Sequence, residues 1–246
     1  MIPFIDIHAI NSRFDKSFKN QFQDFLDSGY YVLGNQVSAF ESRFADYCET
    51  QYCIGVGNGL DALRLILEGY KVLGKLELGD EVIVASNTYI ATIIAIKQAG
   101  LQPVLVEVEN QTFNFDISAL KQAISPTTKA IMPVHLYGQI APMEQINSFA
   151  VYNNLLIIED AAQAHGAIHT NGKRAGNLGH AAGFSFYPTK NFKYNFTGST
   201  PSPASNLAGW TANSKEKVPV FTYYLKERSN NAVKIEIFDS KNKKIK

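Results

Sequence analysis

Two side chains that follow consecutive apolar segments of this sequence have the types needed for carbonyl chemistry. Asp160 closes Ile157-Ile158-Glu159-Asp160, and Lys190 closes Phe184-Ser185-Phe186-Tyr187-Pro188-Thr189-Lys190. A lysine amine can form an imine with an aldehyde and then move protons, while a carboxylate can keep the nitrogen of a pyridinium ring protonated as an electron sink. A lysine after a strand is more often a solvated end residue. The interpretation therefore depends on what else converges on the same place.

A glycine-containing turn could hold a phosphate. Val56-Gly57-Asn58-Gly59-Leu60-Asp61 joins a predicted strand to a predicted helix, and the first amides of such a helix can bind an anion. A plain structural turn is the alternative. The pattern Gly57-x-Gly59-x-x-Ala62 also matches a loose dinucleotide fingerprint, with Asp80 about 20 residues on. However, Asp80 precedes its strand, whereas a ribose-binding acid should follow one.

Tyr89 and Gln163 follow predicted strands, and Ser185 lies within one. Tyr89 could stack on a flat heterocycle, Ser185 could donate a hydroxyl group to the phosphate, and Gln163 could bond a phenolic oxygen. A core tyrosine, an ordinary strand serine and a turn-forming glutamine are the plainer alternatives. We predict no metal site, because His165 and His169 have Gly166 between them and no matching Cys or carboxylate cluster.

The elements that must position these residues alternate along the chain. Apolar strands are predicted at 53–56, 82–85, 104–108, 130–134, 155–159 and 182–186, and helices at 60–73, 90–99, 117–124 and 143–152. Strands this apolar are buried on both faces, so we predict a mostly parallel sheet with helices on both faces. Ligands bind beyond the carboxyl ends of such strands, which is where we place Gly57, residues 86–89, His135, Asp160 and Lys190.

Composition narrows the classes of function. The 246 residues carry a formal net charge of +1, which gives no reason to expect nucleic acid or an anionic membrane as a partner. No apolar run approaches the ~20 residues of a membrane span. Two cysteines are too few for a disulfide framework, so we expect a reducing cytoplasm. After residue 192 the composition changes, and we predict a linker at 193–217 and a β-hairpin-like tail at 218–246, with strands at 218–225 and 233–238.

The chain resembles the sugar aminotransferases of the DegT/DnrJ/EryC1/StrS family, which have the fold-type-I architecture of pyridoxal-phosphate enzymes. The resemblance covers about residues 2–191. Its markers are Gly29-Tyr30-Tyr31-Val32-Leu33-Gly34, Gly79-Asp80-Glu81-Val82-Ile83, Pro133-Val134-His135-Leu136-Tyr137-Gly138, Glu159-Asp160-Ala161-Ala162-Gln163 and Phe184-Ser185-Phe186-Tyr187-Pro188-Thr189-Lys190-Asn191.

The resemblance implies a role for each candidate residue. It makes Lys190 the catalytic lysine that binds pyridoxal 5'-phosphate, and Asp160 the partner of the ring nitrogen. Tyr89 becomes the stacking residue and Gln163 the contact of the phenolic oxygen. The phosphate is then held by Ser185 and by the amides near Gly59, Leu60 and Asp61. Relatives that dehydrate sugars replace the lysine with histidine, so Lys190 implies transamination.

The resemblance also implies a substrate and a partner. The turn Asn58-Gly59-Leu60-Asp61-Ala62-Leu63 is similar to that of transaminases for dTDP-3-oxo-6-deoxyhexoses. The implied reaction aminates a nucleotide-linked keto-sugar with L-glutamate, for deoxyamino-sugar and surface glycan biosynthesis such as lipopolysaccharide. A homodimer is expected, because the sites of the family lie at a subunit interface.

The end of the chain departs from the family pattern. Relatives normally continue with a Gly-rich stretch, another strand and a C-terminal domain, whereas Phe192-Lys193-Tyr194 follows here. We therefore expect residues 1–192 to form an incomplete aminotransferase large domain with little turnover. Two alternatives stay open: an NAD-dependent nucleotide-sugar oxidoreductase, and a non-catalytic remnant or binding module.

Overall fold

A computed structural model describes residues 6–186 and two short strands near the end of the chain. The helices are α1 (Ile7–Ser12), α2 (Asp15–Asp27), α3 (Asn35–Cys48), α4 (Gly59–Val72), α5 (Ile90–Gln98), α6 (Ile117–Gln122) and α7 (Met143–Asn153). The strands are β1 (Glu81–Ala85), β2 (Gln102–Val106), β3 (Thr128–Met132), β4 (Leu156–Asp160), β5 (Ala181–Gly183), β6 (Ile237–Phe238) and β7 (Lys244–Ile245).

The first five strands form one parallel sheet. Its order is β2-β1-β3-β4-β5, and each neighbouring pair is parallel. Helices α4, α5, α6 and α7 lie at the four predicted positions, with ends within two residues of the prediction. The prediction of a mostly parallel α/β sheet is therefore confirmed.

Helices cover both faces of this sheet because its central strands are apolar on both sides. Ile83, Ile131 and Ile157 belong to one core, which also contains Leu120 of α6 and Ile146 of α7. The alternate strand residues form a second core with α4 and α5; they are Val82, Val84, Ala130, Met132 and Ile158. Successive residues of a strand point to opposite faces, so one uninterrupted apolar strand supplies both cores.

The prediction of a strand at 53–56 is wrong. This segment has no strand conformation, and Ile54 keeps 79% of its surface exposed. A strand needs a neighbour for its backbone groups, and none of the described strands pairs with this segment. It is held instead by α3, because the Gly55 amide donates to Glu41 Oε1 at 2.6 Å.

Near the end of the chain the structure describes two short strands, β6 and β7. β6 lies within the predicted strand 233–238, but it pairs antiparallel with β7. The predicted linker at 193–217 and the predicted strand at 218–225 lie outside the described residues, as does Lys190.

Candidate active site

The candidate residues that the structure describes follow the carboxyl ends of β1, β4 and β5. Tyr89 comes shortly after β1, Asp160 ends β4, and Ser185 comes two residues after β5. Since these strands are parallel, their carboxyl ends share one edge of the sheet. Asp80 lies before β1, at the opposite edge, where its side chain accepts a hydrogen bond from the Glu77 amide. Asp80 is therefore not placed to bind a ribose at the edge where the candidate residues lie.

The turn before α4 presents open backbone amides. Asn58 caps the helix, because its Oδ1 accepts from the Asp61 amide at 2.9 Å. Its Nδ2 donates to Asp61 Oδ2 at 2.8 Å, so both groups of the side chain are engaged. Within the described part of the chain, the amides of Gly59 and Leu60 have no acceptor. Two of the three predicted amides are therefore available to an anion, while that of Asp61 serves the cap.

Ser185 lies against this turn. A β-carbon added to Gly59 would lie 2.6 Å from Ser185 Cβ and 3.2 Å from its Oγ. The same closeness continues along the helix, because a β-carbon on Gly183 would lie 2.7 Å from Leu63 Cδ2. Glycine at these two positions lets the start of α4 approach the end of β5. The serine hydroxyl group and the open amides thus come together.

An aromatic cluster fixes the segment that carries Ser185. The rings of Phe184 and Phe186 pack edge-on against Phe44 of α3, with centroids 5.0 and 5.1 Å away. His165 joins the cluster, 4.8 Å from Phe186. In an extended segment alternate side chains point opposite ways, so anchoring residues 184 and 186 turns residue 185 toward α4.

Asp160 is a buried carboxylate with two donors. Its side chain is at the end of β4, and the residue keeps only 6% of its surface exposed. Thr92 Oγ1 donates to Oδ2 at 2.7 Å, and the Ala162 amide donates to Oδ1 at 3.2 Å. Burial raises the pKa of this carboxyl group, while the two hydrogen bonds and the nearby His135 oppose the rise. A cationic partner would therefore be bound strongly here.

Gln163 is oriented by a strained residue on the neighbouring loop. The Tyr137 amide donates to Gln163 Oε1 at 2.8 Å, and Tyr137 itself has a left-handed φ of 55°. Because the oxygen is used in this way, the side chain offers its Nε2 hydrogens to a ligand. A donor is what a phenolic oxygen needs.

Tyr89 is a surface residue at the start of α5. It precedes the helix and keeps 67% of its surface exposed. The alternative of a core tyrosine is therefore wrong, and an open aromatic face is available at the site edge.

A second buried carboxylate, whose partners sequence reasoning missed, stands beside Asp160. Glu159 is fully buried and accepts from the amides of Gly176, Leu178 and Gly179 at 2.6–2.8 Å. His135 Nδ1 accepts from the Ala141 amide, so its Nε2 carries the proton and donates to Glu159 at 2.9 Å. The network ties the loop before β5 to β4. A glutamate inside an apolar strand was the signal, because it must be paired.

His165 and His169 lie in different settings. His165 packs in the aromatic cluster, and His169 Nδ1 accepts from the Asn171 amide. Among the described residues no group of three or more His, Cys, Asp or Glu side chains is arranged so that it could hold a metal ion.

The parallel sheet with helices on both faces has the fold of the pyridoxal-phosphate-dependent transferases of fold type I. The sequence profile of the DegT/DnrJ/EryC1/StrS aminotransferase family matches residues 12–199. The chain belongs to this family.

Two characterised relatives show what similar chains do. One is the dTDP-3-amino-3,6-dideoxy-alpha-D-galactopyranose transaminase of Aneurinibacillus thermoaerophilus, 56% identical over 186 residues, or 76% of this chain and 50% of the relative. Another is the dTDP-3-amino-3,4,6-trideoxy-alpha-D-glucose transaminase of Streptomyces venezuelae, 44% identical over 77% of this chain and 49% of the relative. The chain thus spans about half the length of these relatives.

Solved structures show the same fold. DesV of S. venezuelae, in complex with a ketimine intermediate, is 42% identical with a TM-score of 0.69, over 76% of this chain and 49% of that one. A family member from Brucella abortus is 33% identical with a TM-score of 0.70, over 76% and 51%. The NtdA protein of Bacillus subtilis, with bound cofactor PMP, is 33% identical with a TM-score of 0.64, over 71% and 39%.

Proposed function

We propose that this chain holds pyridoxal 5'-phosphate and serves transamination of a nucleotide-linked keto-sugar, with L-glutamate as the amino donor. One observation carries the proposal. A buried carboxylate at Asp160 shares a sheet edge with the open helix amides at Gly59 and Leu60 and with the Ser185 hydroxyl group. An acidic group for a ring nitrogen and a set of donors for a phosphate are the two ends of this cofactor.

The residues present fit the cofactor. Asp160 would hold the protonated ring nitrogen, and Gln163 Nε2 would donate to the phenolic oxygen. Tyr89 would stack on the ring, and Lys190 would supply the amine that binds the cofactor and moves protons at the substrate carbon. When bound, the cofactor supplies an electron sink for bonds at that carbon. The phosphate would be held by Gly59, Leu60 and Ser185, with Asp61 at the rim of the cup.

Asp61 puts a negative charge near a proposed phosphate, and its neighbours reduce this conflict. Asn58 Nδ2 donates to Oδ2, and Arg64 Nη2 lies 3.3 Å from Oδ1. The positive end of the α4 dipole also favours anions at this place. We infer that the Asp61 side chain fixes the shape of the turn rather than touching the phosphate.

The substrate proposal is a dTDP-3-oxo-6-deoxyhexose. It is supported by the turn at residues 58–63 and by the similarity to the A. thermoaerophilus relative, a dTDP-3-amino-3,6-dideoxy-alpha-D-galactopyranose transaminase. A paired assay of 3-oxo and 4-oxo sugar nucleotides, in a full-length relative with this turn, tests it. Faster amination of the 4-oxo isomer would reject the assignment.

Partner and location are part of the proposal. We expect a homodimer, which sedimentation of the chain measures directly. No helix within residues 6–186 is long and apolar enough to cross a membrane. Cys48 and Cys53 are unpaired thiols, which suits a reducing cytoplasm.

Cofactor binding is tested by absorbance of the purified chain mixed with pyridoxal phosphate, with Lys190→Ala as the control. We expect an absorbance band that depends on the lysine. A folded sample without that band would overturn the proposal. Enhanced NADH fluorescence would then favour a nucleotide-sugar oxidoreductase, and binding of neither cofactor would favour a non-catalytic remnant or binding module.

A further inference from the structure

Two threonine hydroxyl groups lead from the start of α5 to the Asp160 carboxylate. Thr92 is fully buried in the first turn of α5, and its Oγ1 lies 2.7 Å from Asp160 Oδ2. The same Oγ1 lies 2.7 Å from the Oγ1 of Thr88, which comes four residues earlier, just before the helix. The three side chains form a continuous chain of hydrogen bonds.

The donor and the acceptor of each of these hydrogen bonds follow from the protons available. An ionised carboxylate only accepts, so Thr92 must donate its single proton to Asp160. Thr92 therefore accepts from Thr88, whose other contact, with the Tyr89 carbonyl, is at 3.5 Å. Both protons point toward the carboxylate. Donors aimed in this way stabilise the charged form of an acid against the cost of burial.

The Thr92 hydroxyl group bonds a residue outside its own helix. It reaches Asp160 on β4, across the interface between α5 and the sheet. Together with the Ala162 amide on Oδ1, it engages both carboxylate oxygens, so the Asp160 side chain is held from two sides.

We propose that Thr92, supported by Thr88, is a positioning residue that orients the Asp160 carboxylate and favours its ionised form for the ring nitrogen of the cofactor. The proposal rests on the proposed function only for the identity of the ring. The effect on Asp160 itself belongs to the free protein and can be measured without any cofactor.

The test variant is Thr92→Val, which keeps the shape of the side chain and removes its hydroxyl group. Thr92→Ser keeps the hydroxyl group and should restore the wild-type behaviour. Thr128→Val is a matched control: Thr128 is also buried, and its hydroxyl group donates at 2.9 Å to Glu81, at the other end of the sheet.

The first measurement is the dissociation constant of pyridoxal phosphate, by absorbance titration. We expect Thr92→Val to weaken binding by about tenfold, which corresponds to ~1.4 kcal/mol, while Thr92→Ser and Thr128→Val stay within about twofold. Wild-type affinity in Thr92→Val would overturn the proposal. If wild type binds no cofactor, the proposed function fails, and the second measurement still decides this inference.

The second measurement is the unfolding free energy of the cofactor-free protein between pH 4 and pH 8. Burial raises the pKa of Asp160 above 3.8, and loss of the Thr92 donor raises it further. When the pKa of an acid is higher in the folded than in the unfolded protein, the free energy of unfolding falls as the pH rises. The deficit of Thr92→Val should therefore grow as the pH rises above 3.8, until Asp160 is ionised in both folded proteins.

The control should behave differently in the same window. Hydrogen bonds from Ser125 and Thr128 lower the pKa of Glu81 below 4.5, so the deficit of Thr128→Val should be flat above pH 5. His135, which lies near Asp160, and its partner Glu159 are present in every variant, so their contributions cancel in the differences. A flat deficit for Thr92→Val would overturn the proposal.

Discussion

Gly59 lies so close to Ser185 that a β-carbon on the glycine would sit 2.6 Å from the serine Cβ. Gly59→Ala should therefore cost about 1–3 kcal/mol, as overpacking does, and should also abolish phosphate binding at the turn. Gly69→Ala in the same helix is the control, since nothing lies within 4 Å of its added β-carbon. That control should gain about 0.5–1 kcal/mol. Denaturant unfolding measures both, and equal effects would contradict the contact.

Asp160→Asn should stabilise the cofactor-free chain at neutral pH while weakening cofactor binding. The raised pKa of Asp160 means that unfolding free energy falls as the pH rises above 3.8, and the amide removes this fall. The gain should be small near pH 4 and largest near pH 8. Urea titrations across this range check the expectation, and a gain that does not change with pH would refute it.

Gln163→Glu should keep the hydrogen bond that the side-chain oxygen accepts and remove the one that its nitrogen could donate. A glutamate can still accept from the Tyr137 amide, but it cannot donate to a phenolic oxygen. We expect weaker binding of pyridoxal phosphate, with stability changed by no more than about 0.5 kcal/mol. A binding titration beside an unfolding curve decides the matter, and unchanged affinity would remove Gln163 from the site.

Glu159→Ala should be the most destabilising of these changes. It leaves three amides and His135 without their acceptor in a fully buried place, which costs about 3–5 kcal/mol when a buried charged network is broken. Glu159→Gln keeps one acceptor and should lose less. Thermal unfolding ranks the two, and a loss below about 1 kcal/mol for the alanine variant would show that the loop is held by other contacts.

The sequence predicted the sheet and the helices around it, because long apolar segments such as β4 leave few alternatives. It also predicted that Tyr89 and Asp160 would lie at one edge, since parallel strands bring their carboxyl ends together. The prediction of a strand at 53–56 was wrong because the segment has no partner among the described strands. An apolar pattern shows that a segment can pair, but it does not supply the neighbour, and no described strand lies there.

The residues that hold the site residues in place could not be predicted from the sequence. Thr92 is remote from Asp160 in sequence, and only the packing of α5 on β4 brings its hydroxyl group within 2.7 Å. Likewise, the pairing of His135 with Glu159 depends on β3 and β4 being neighbours. Sequence periodicity predicts which face of an element is apolar, but it leaves the order of the strands open.

Glu159 and Asp160 are adjacent on β4 and face opposite sides of the sheet, the first toward the loop before β5 and the second toward α5. If β4 paired one residue out of register during folding, the two acids would change sides. The glutamate would then meet the Thr92 hydroxyl group, and the shorter aspartate would face the amides that Glu159 accepts. Each misaligned chain would bury a carboxylate without its full set of donors. The contacts of the two acids therefore favour the observed register of β4 over one shifted by a single residue.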